Sequence, residues 1–253
     1  MIAFDRPGYG HSSRPRNRLQ APFAQAAVFH AALEKLGIEQ AVVVGHFMGT
    51  MAALAMALNH PVNVRRLVLI SGYFYPESRL DALVTAPVAL PVLGDVMRYT
   101  VTAQWGRAMV GSLVKTLFAP KDAPPEFFSS LSREMMLRPV QIRANAEDAA
   151  FKTPAAKAIS ARYNELRLPV AIVAGTEDLI VDMETHSERL HRELPQSELH
   201  VLSDTGHMAH YSAQDLIVNA IDNTRFSHVP LPDSLRMHMG AGDFSATPTY
   251  LPT

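Results

Sequence analysis

The sequence Val42-Val43-Val44-Gly45-His46-Phe47-Met48-Gly49-Thr50 decides the fold. Three β-branched valines predict a buried strand, and the alanine- and methionine-rich stretch from Thr50 to Leu58 has high helix propensity. Gly45 and Gly49 lie between them at the spacing Gly-x-Ser-x-Gly, which is typical of a sharp strand-to-helix turn that presents a nucleophile. We expect both glycines to let the strand and helix backbones approach each other. The central position holds Phe47, whose phenyl ring has no atom that attacks a carbonyl.

Length and composition exclude several classes of protein. The 253 residues are 48% hydrophobic, which is enough for one large domain with a buried core. The net charge of −1 gives no signal for a nucleic-acid partner. The chain has no cysteine, which excludes disulfides, thiolate metal sites and a cysteine nucleophile. No secretory signal and no membrane span are recognisable, so we expect a cytoplasmic protein.

Strand and helix patterns alternate along much of the chain. The predicted strands are Ile2–Phe4, Val42–Val44, Leu67–Ile70, Pro169–Gly175 and Leu199–Leu202. The predicted helices between and after them are Ala21–Leu36, Thr50–Leu58, Asp182–Leu194 and Ala213–Asn223. Strand–helix–strand connections join parallel strands, which indicates an α/β protein with a mostly parallel, doubly wound sheet.

The segment from Tyr73 to Leu168 has helical periodicity and no stretch with the pattern of a strand. Its prolines, Pro154 among them, are expected to divide it into short helices. We therefore predict a helical cap at residues 73–168, inserted between the third and fourth strands of a core formed by residues 1–72 and 169–224. Residues 225–253 carry prolines and glycines without a period, and we expect them to be disordered.

Four motifs, in this order, resemble those of the α/β-hydrolase superfamily with a helical cap. They are Asp5-Arg6-Pro7-Gly8-Tyr9-Gly10-His11-Ser12, Gly45-His46-Phe47-Met48-Gly49, Gly175-Thr176-Glu177-Asp178 and Thr205-Gly206-His207-Met208-Ala209-His210. They are similar to the family's loop after its fourth strand, its nucleophile elbow, its acid loop and its histidine loop. The resemblance implies ester or acyl hydrolysis by a Ser-His-Asp triad, on a small apolar or ester-like substrate and without a cofactor or metal.

The resemblance also implies roles for single residues. Asp178 would accept the imidazole N–H, His207 would be the general base, and Phe47 stands at the position of the nucleophile. The amide of Met48 would supply one oxyanion donor. Taken alone, Asp178 could cap a turn and His207 could be a buried histidine bonded to the backbone, but the motif order favours an acid–base pair. Glu177 is the alternative acid.

The other histidines of these motifs receive no catalytic role. His46 is expected to lie beneath the turn. His210 follows His207 by three positions, but two histidines without a third ligand do not predict a metal site.

Two departures from the family pattern bear on activity. Phe47 adds bulk where a substrate carbonyl would lie, and loss of a serine nucleophile leaves only about 10³–10⁴-fold catalysis over water. The family also has three strands and a helix before the loop at Asp5, the third strand lying between those predicted at Ile2 and Val42. This sequence contains none of them, so we expect its written N-terminus to be incomplete.

Three functions stay open on these observations. The first is membership of an ester or acyl hydrolase lineage, with a sequence that is inactive or nearly so. The second is a lyase- or oxygenase-like enzyme in which His207 and Asp178 remove a proton without a nucleophile. The third is a non-catalytic protein that binds a ligand in the cap cavity, with Phe47 as its hydrophobic floor. The fold does not choose among them, and the sequence carries no signal for an oligomeric state.

Overall fold

The computed structural model describes residues 1–77, 87–90, 93–130 and 132–222. Its sheet has four parallel strands in the spatial order β1-β2-β3-β4: β1 Ala41–His46, β2 Val64–Ile70, β3 Val170–Gly175 and β4 Ser197–Leu202. One row of the register aligns Gly45, Leu69, Ile172 and Leu199 across all four strands. The predicted parallel α/β sheet is confirmed, and the carboxyl ends of its strands meet at one edge.

Helices occupy the connections between and after the strands. They are α1 Pro22–Lys35, α2 Met48–Asn59, α3 Leu93–Tyr99, α4 Val101–Phe118, α5 Phe127–Ser130, α6 Arg133–Met136, α7 Pro139–Ser160, α8 Arg189–Glu193, α9 Ala209–Ser212 and α10 Gln214–Asp222. Short 3₁₀ turns lie at Pro61–Asn63 and Tyr163–Glu165, and a π-helical turn at Glu184–Glu188 precedes α8.

Both faces of the sheet are covered at the central strand β2. Leu67 and Leu69 belong to the core that includes residues of α1 and α2. Val68 and Ile70 belong to a second core on the opposite face, together with Ile217 of α10. All four β2 side chains are at most 2% exposed. This alternation explains why the strand reads as a continuous apolar run, since successive side chains enter different cores.

The strand predicted at Ile2–Phe4 is wrong. These residues join no strand of the described sheet, and Ile2 and Phe4 are 50% and 40% exposed. β1 is an edge strand of that sheet, so no neighbouring strand is available to satisfy the backbone of Ile2–Phe4. Phe4 stacks instead on Phe29 of α1, with 5.4 Å between ring centroids. Because Ile2–Phe4 is not a strand, the predicted helical insertion follows the second strand of the described sheet and not the third.

The described residues between β2 and β3 form helices and no strand. The expectation that Pro154 ends a helix is wrong, because the 22-residue α7 continues through it. A proline inside a helix costs about 3 kcal/mol. Ala156 and Ile159, each 1% exposed in the core, offset that cost. The division into core and cap stays a prediction, and residues 225–253 lie outside the described residues.

No helix in the described part of the chain is long and apolar enough to cross a lipid bilayer.

Candidate active site

Phe47 forms the sharp turn between β1 and α2. Its φ of 48° and ψ of −117° lie in a region that costs a non-glycine residue about 1–3 kcal/mol. Its amide donates to the carbonyl of Ile70 at 3.0 Å, and its own carbonyl accepts from the amide of Thr50 at 3.1 Å. Backbone hydrogen bonds on both sides therefore hold the turn, independently of the side chain at position 47.

The two glycines of the elbow differ in what they contribute. A Cβ on Gly45 would lie 2.8 Å from the carbonyl oxygen of Gly49 and 2.8 Å from backbone atoms of Thr50. A Cβ on Gly49 would meet no atom within 4 Å. The close approach of strand and helix therefore requires a glycine at position 45, and the expectation that Gly49 is required as well is wrong.

His207 and Asp178 lie together at the carboxyl edge of the sheet. The Nδ1 atom of His207 is 2.9 Å from Oδ2 and 3.1 Å from Oδ1 of Asp178. Oδ1 also accepts the amides of Ile180 at 2.8 Å and Val181 at 3.0 Å. Both side chains are buried, at 1% and 4% exposure. Because a carboxylate only accepts hydrogen bonds, Nδ1 donates to it, and Nε2 is the ring nitrogen left to take up a proton.

Glycines in both loops allow close backbone approaches beside this contact. A Cβ on Gly175 would lie 2.1 Å from the carbonyl oxygen of Thr205, and one on Gly206 would lie 1.8 Å from that of Ala119. The amide of Glu177 donates to the same Thr205 carbonyl at 3.0 Å, which joins the acid loop to the histidine loop. The side chain of Glu177, the alternative acid, is exposed and makes no hydrogen bond to a described residue. Its position does not fit the acid's role.

The tip of the elbow faces the imidazole. The rings of Phe47 and His207 meet edge to face, with centroids 4.9 Å apart and an interplanar angle of 82°. Met48 begins α2, and its amide makes no hydrogen bond to any described residue. Beside it lies a cavity of about 10 Å³, which has room for about one water molecule. The positions expected to hold nucleophile, base, acid and oxyanion donor thus come together around Phe47.

His46 supports the histidine loop through a contact that the sequence reasoning missed. Its Nε2 lies 3.0 Å from the carbonyl oxygen of His207, and its ring centroid is 4.6 Å from that of His210. Burial, together with His207 and His210, lowers the pKa of His46 to about 3. The ring is therefore neutral at pH 7 and donates its Nε2–H to the carbonyl. Burial also lowers the pKa of His210, to about 4.

No group of three or more potential metal-ligating side chains occurs among the described residues.

A model of the α/β-hydrolase fold family matches residues 1–214. The chain belongs to the α/β-hydrolase family. It is 29% identical over 226 residues to a 2-hydroxymuconate semialdehyde hydrolase of Pseudomonas putida, covering 88% of this chain and 75% of that one. It is 28% identical over 220 residues to a 2-hydroxy-6-oxononadienedioate/2-hydroxy-6-oxononatrienedioate hydrolase of a Pseudomonas species, covering 85% and 73%.

Solved structures support the fold of this α/β-hydrolase. An α/β-hydrolase-fold protein from Burkholderia ambifaria superposes with a TM-score of 0.70 at 21% identity, covering 85% of this chain and 77% of that one. An esterase from Exiguobacterium antarcticum gives a TM-score of 0.67 at 16% identity, covering 86% and 78%. At these identities the similarity concerns the fold alone.

Proposed function

We propose that this α/β-hydrolase belongs to an ester or acyl hydrolase lineage and retains the acid–base pair of its triad, while Phe47 leaves it hydrolytically inactive. One observation carries the proposal. Phe47 keeps the strained backbone of a nucleophile elbow, with its ring 4.9 Å from that of His207, whose Nδ1 donates to Asp178 at 2.9 Å. Relatives named as hydrolases support it.

The chemistry explains why position 47 limits activity. In a serine hydrolase the imidazole removes the hydroxyl proton as the oxygen attacks the acyl carbon, and Asp178 would stabilise the resulting imidazolium. Phe47 has neither the proton nor the lone pair for that step. Loss of the nucleophile alone lowers kcat by about 10⁶-fold in a serine hydrolase. The phenyl ring of Phe47, 4.9 Å from that of His207, also fills space that a serine would leave beside the imidazole.

Restoring the hydroxyl tests the proposal. Phe47→Ser in the full chain should hydrolyse p-nitrophenyl acetate and p-nitrophenyl butyrate at least about 100-fold faster than the unaltered protein, because the base and acid are already oriented. Phe47→Ala is the matched control, since it removes the same bulk without adding an oxygen. The double variant Phe47→Ser/His207→Ala should lose the gain.

The control separates nucleophilic catalysis from simple opening of the pocket. Equal rates for folded Phe47→Ser and Phe47→Ala would refute the proposal. Circular dichroism and urea unfolding should verify that each variant is folded before the rates are compared.

A second candidate is acid–base chemistry without a nucleophile, as in a lyase. The observation that favours it is the Nε2 atom of His207, which makes no hydrogen bond to any described residue while Asp178 orients the ring. In that case the unaltered protein should turn over a carbon acid, and His207→Ala should abolish this activity. Phe47→Ser should leave it unchanged. Saturable ligand binding without turnover would instead favour the non-catalytic binding function.

A further inference from the structure

A cavity of about 350 Å³ lies apart from the candidate active site. It is an open cleft bordered by the loop at residues 11–16, by α3 and by the first turns of α7. None of its described lining residues belongs to the elbow, the acid loop or the histidine loop. Its charged wall consists mainly of guanidinium groups: Arg14, Arg16, Arg98, Arg138 and Arg143. Asp95 is the only carboxylate among the lining residues that the structure describes. The size is that of a small-molecule site.

Two of these arginines share one carboxylate. Arg16 donates to both oxygens of Asp95, at 2.9 and 3.0 Å, and Arg98 donates to Oδ1 of the same side chain. Arg98 is buried and also donates to the carbonyl oxygen of Val88 at 2.6 Å. The hydrogen bond from Arg16 and the charge of Arg98 lower the pKa of Asp95. This carboxylate is therefore charged at pH 7, but one negative charge faces two guanidinium groups.

Arg143 is buried, and its carboxylate partner among the described residues, Glu147, is shared with Arg14. It is 7% exposed, donates to the backbone carbonyl of Arg14, and lies 3.6 Å from Glu147. Glu147 itself is bound at 2.6 Å by the guanidinium of Arg14. Burial lowers the pKa of Arg143, and the neighbouring charges of Arg16, Arg98 and Arg14 lower it further against the opposing effect of Glu147. The guanidinium groups around the cavity thus repel one another.

Arg138 adds a further cation where α7 begins. It donates to the carbonyl oxygen of Gly10 and lies 3.2 Å from the sulfur of Met135, and it makes no ion pair with a described carboxylate. The next two residues, Pro139 and Val140, also line the cavity, so the first turn of the 22-residue α7 borders it. The positive end of a helix dipole stabilises an anion.

We propose that this cavity binds the phosphate group of a small phosphomonoester. A doubly charged oxyanion would relieve the repulsion among Arg16, Arg138 and Arg143, and the planar guanidinium fork matches its oxygens. Ser13 lines the same space, whereas the hydroxyl of Ser12 donates to the carbonyl oxygen of Asp5 at 2.8 Å. The volume of about 350 Å³ exceeds that of phosphate alone, which leaves room for a small organic group against Tyr99 and Val140.

Calorimetric titration of the full chain tests this site. The probes are inorganic phosphate, phenyl phosphate and succinate, at constant ionic strength set with chloride. Phenyl phosphate should bind saturably and at least about tenfold more tightly than inorganic phosphate, which should bind more tightly than succinate. Arg138→Gln should weaken phenyl phosphate binding by about tenfold or more, since it removes a charge-assisted hydrogen bond to the phosphate. Arg65→Gln is the charge-matched control, because Arg65 is exposed and lies outside the cavity.

The outcomes that overturn the proposal are specific. Absence of saturable binding, equal weakening by Arg138→Gln and Arg65→Gln, or preference for succinate would each refute it. Equal affinity for inorganic and phenyl phosphate would refute the phosphomonoester and leave phosphate as the ligand. Arg16→Gln provides the same test if Arg138→Gln does not fold, because the Arg16 side chain is 67% exposed.

Discussion

Substitution of Gly45 by alanine should destabilise the fold through a contact that can be located to a few atoms. The added Cβ would lie 2.8 Å from the Gly49 carbonyl oxygen and from the Cα and amide nitrogen of Thr50. All three are backbone atoms, and neither side can move freely. β1 is hydrogen-bonded to β2, and the buried Thr50 and Met51 fix the start of α2 in the core.

Overpacking at a rigid site costs about 1–3 kcal/mol. We therefore expect Gly45→Ala to lower the free energy of unfolding by about 2 kcal/mol. In a domain of this size about 2 kcal/mol corresponds to a fall of about 4–8 °C in Tm. Urea unfolding followed by circular dichroism measures the change, and an unchanged m value would show that the same surface is exposed on unfolding.

Gly49→Ala is the matched control for this experiment. Gly49 lies in the first turn of α2, and its added Cβ would meet no atom within 4 Å. Replacement of a helical glycine by alanine should therefore leave stability unchanged or raise it by up to about 1 kcal/mol. A Gly45→Ala protein as stable as the unaltered one, or equal losses for the two variants, would refute the steric account of the elbow.

Two further predictions concern buried titratable side chains. As the pH falls from 7 towards 4, the unfolded chain takes up protons near pH 6.5 while His46 and His210, with pKa values of about 3 and about 4, stay neutral in the fold. Each should cost up to about 1.4 kcal/mol of stability per pH unit below 6.5. Urea titrations at pH 7 and pH 4.5 should show that His210→Gln loses less stability on acidification than the unaltered protein does. An equal loss of stability in the two proteins would contradict this. Asp148 is bound by Arg6 at 2.8 Å and by Arg14 at 2.9 Å, and Asp148→Asn removes the negative charge from both buried pairs. This substitution should lower the free energy of unfolding by about 3–5 kcal/mol, measured by urea unfolding. Glu165→Gln, in the more exposed Arg162 pair, should cost at most about 1 kcal/mol, and equal costs would contradict the role of burial.

Local signals were sufficient for the strands and helices that lie in the sheet's layers. The apolar run of β2 and the glycine after the valines of β1 predicted their positions to within a few residues. The prediction that the valines of β1 are buried was wrong: Val44 is 44% exposed, because β1 lies at an edge of the described sheet. The same reasoning was wrong at Ile2–Phe4, since an apolar run forms a strand only beside another strand. The prediction at Pro154 was also wrong, because the packing of α7 outweighs the tendency of proline to end a helix.

The positions of the candidate site were predictable because parallel strands end at a common edge. Asp178 follows β3 and His207 follows β4, and adjacent strands bring the two loops together. Their catalytic roles stay a prediction. The hydrogen bond from His46 to the His207 carbonyl was beyond sequence reasoning, because it joins residues 161 positions apart and depends on the backbone path. The arginine cavity was missed for the same reason, since its guanidinium groups come from three separate segments.

The turn at position 47 has a consequence for how activity is gained or lost in such a chain. Its dihedral angles are imposed by Gly45 and by hydrogen bonds to neighbouring backbone, so the resident side chain can be exchanged while the bend stays in place. Under the proposed function, a single substitution, Phe47→Ser, is therefore expected to restore the reactive group without rebuilding the turn. Since the protein contains no cysteine, a thiol installed there would be unique and could report the local environment by selective labelling.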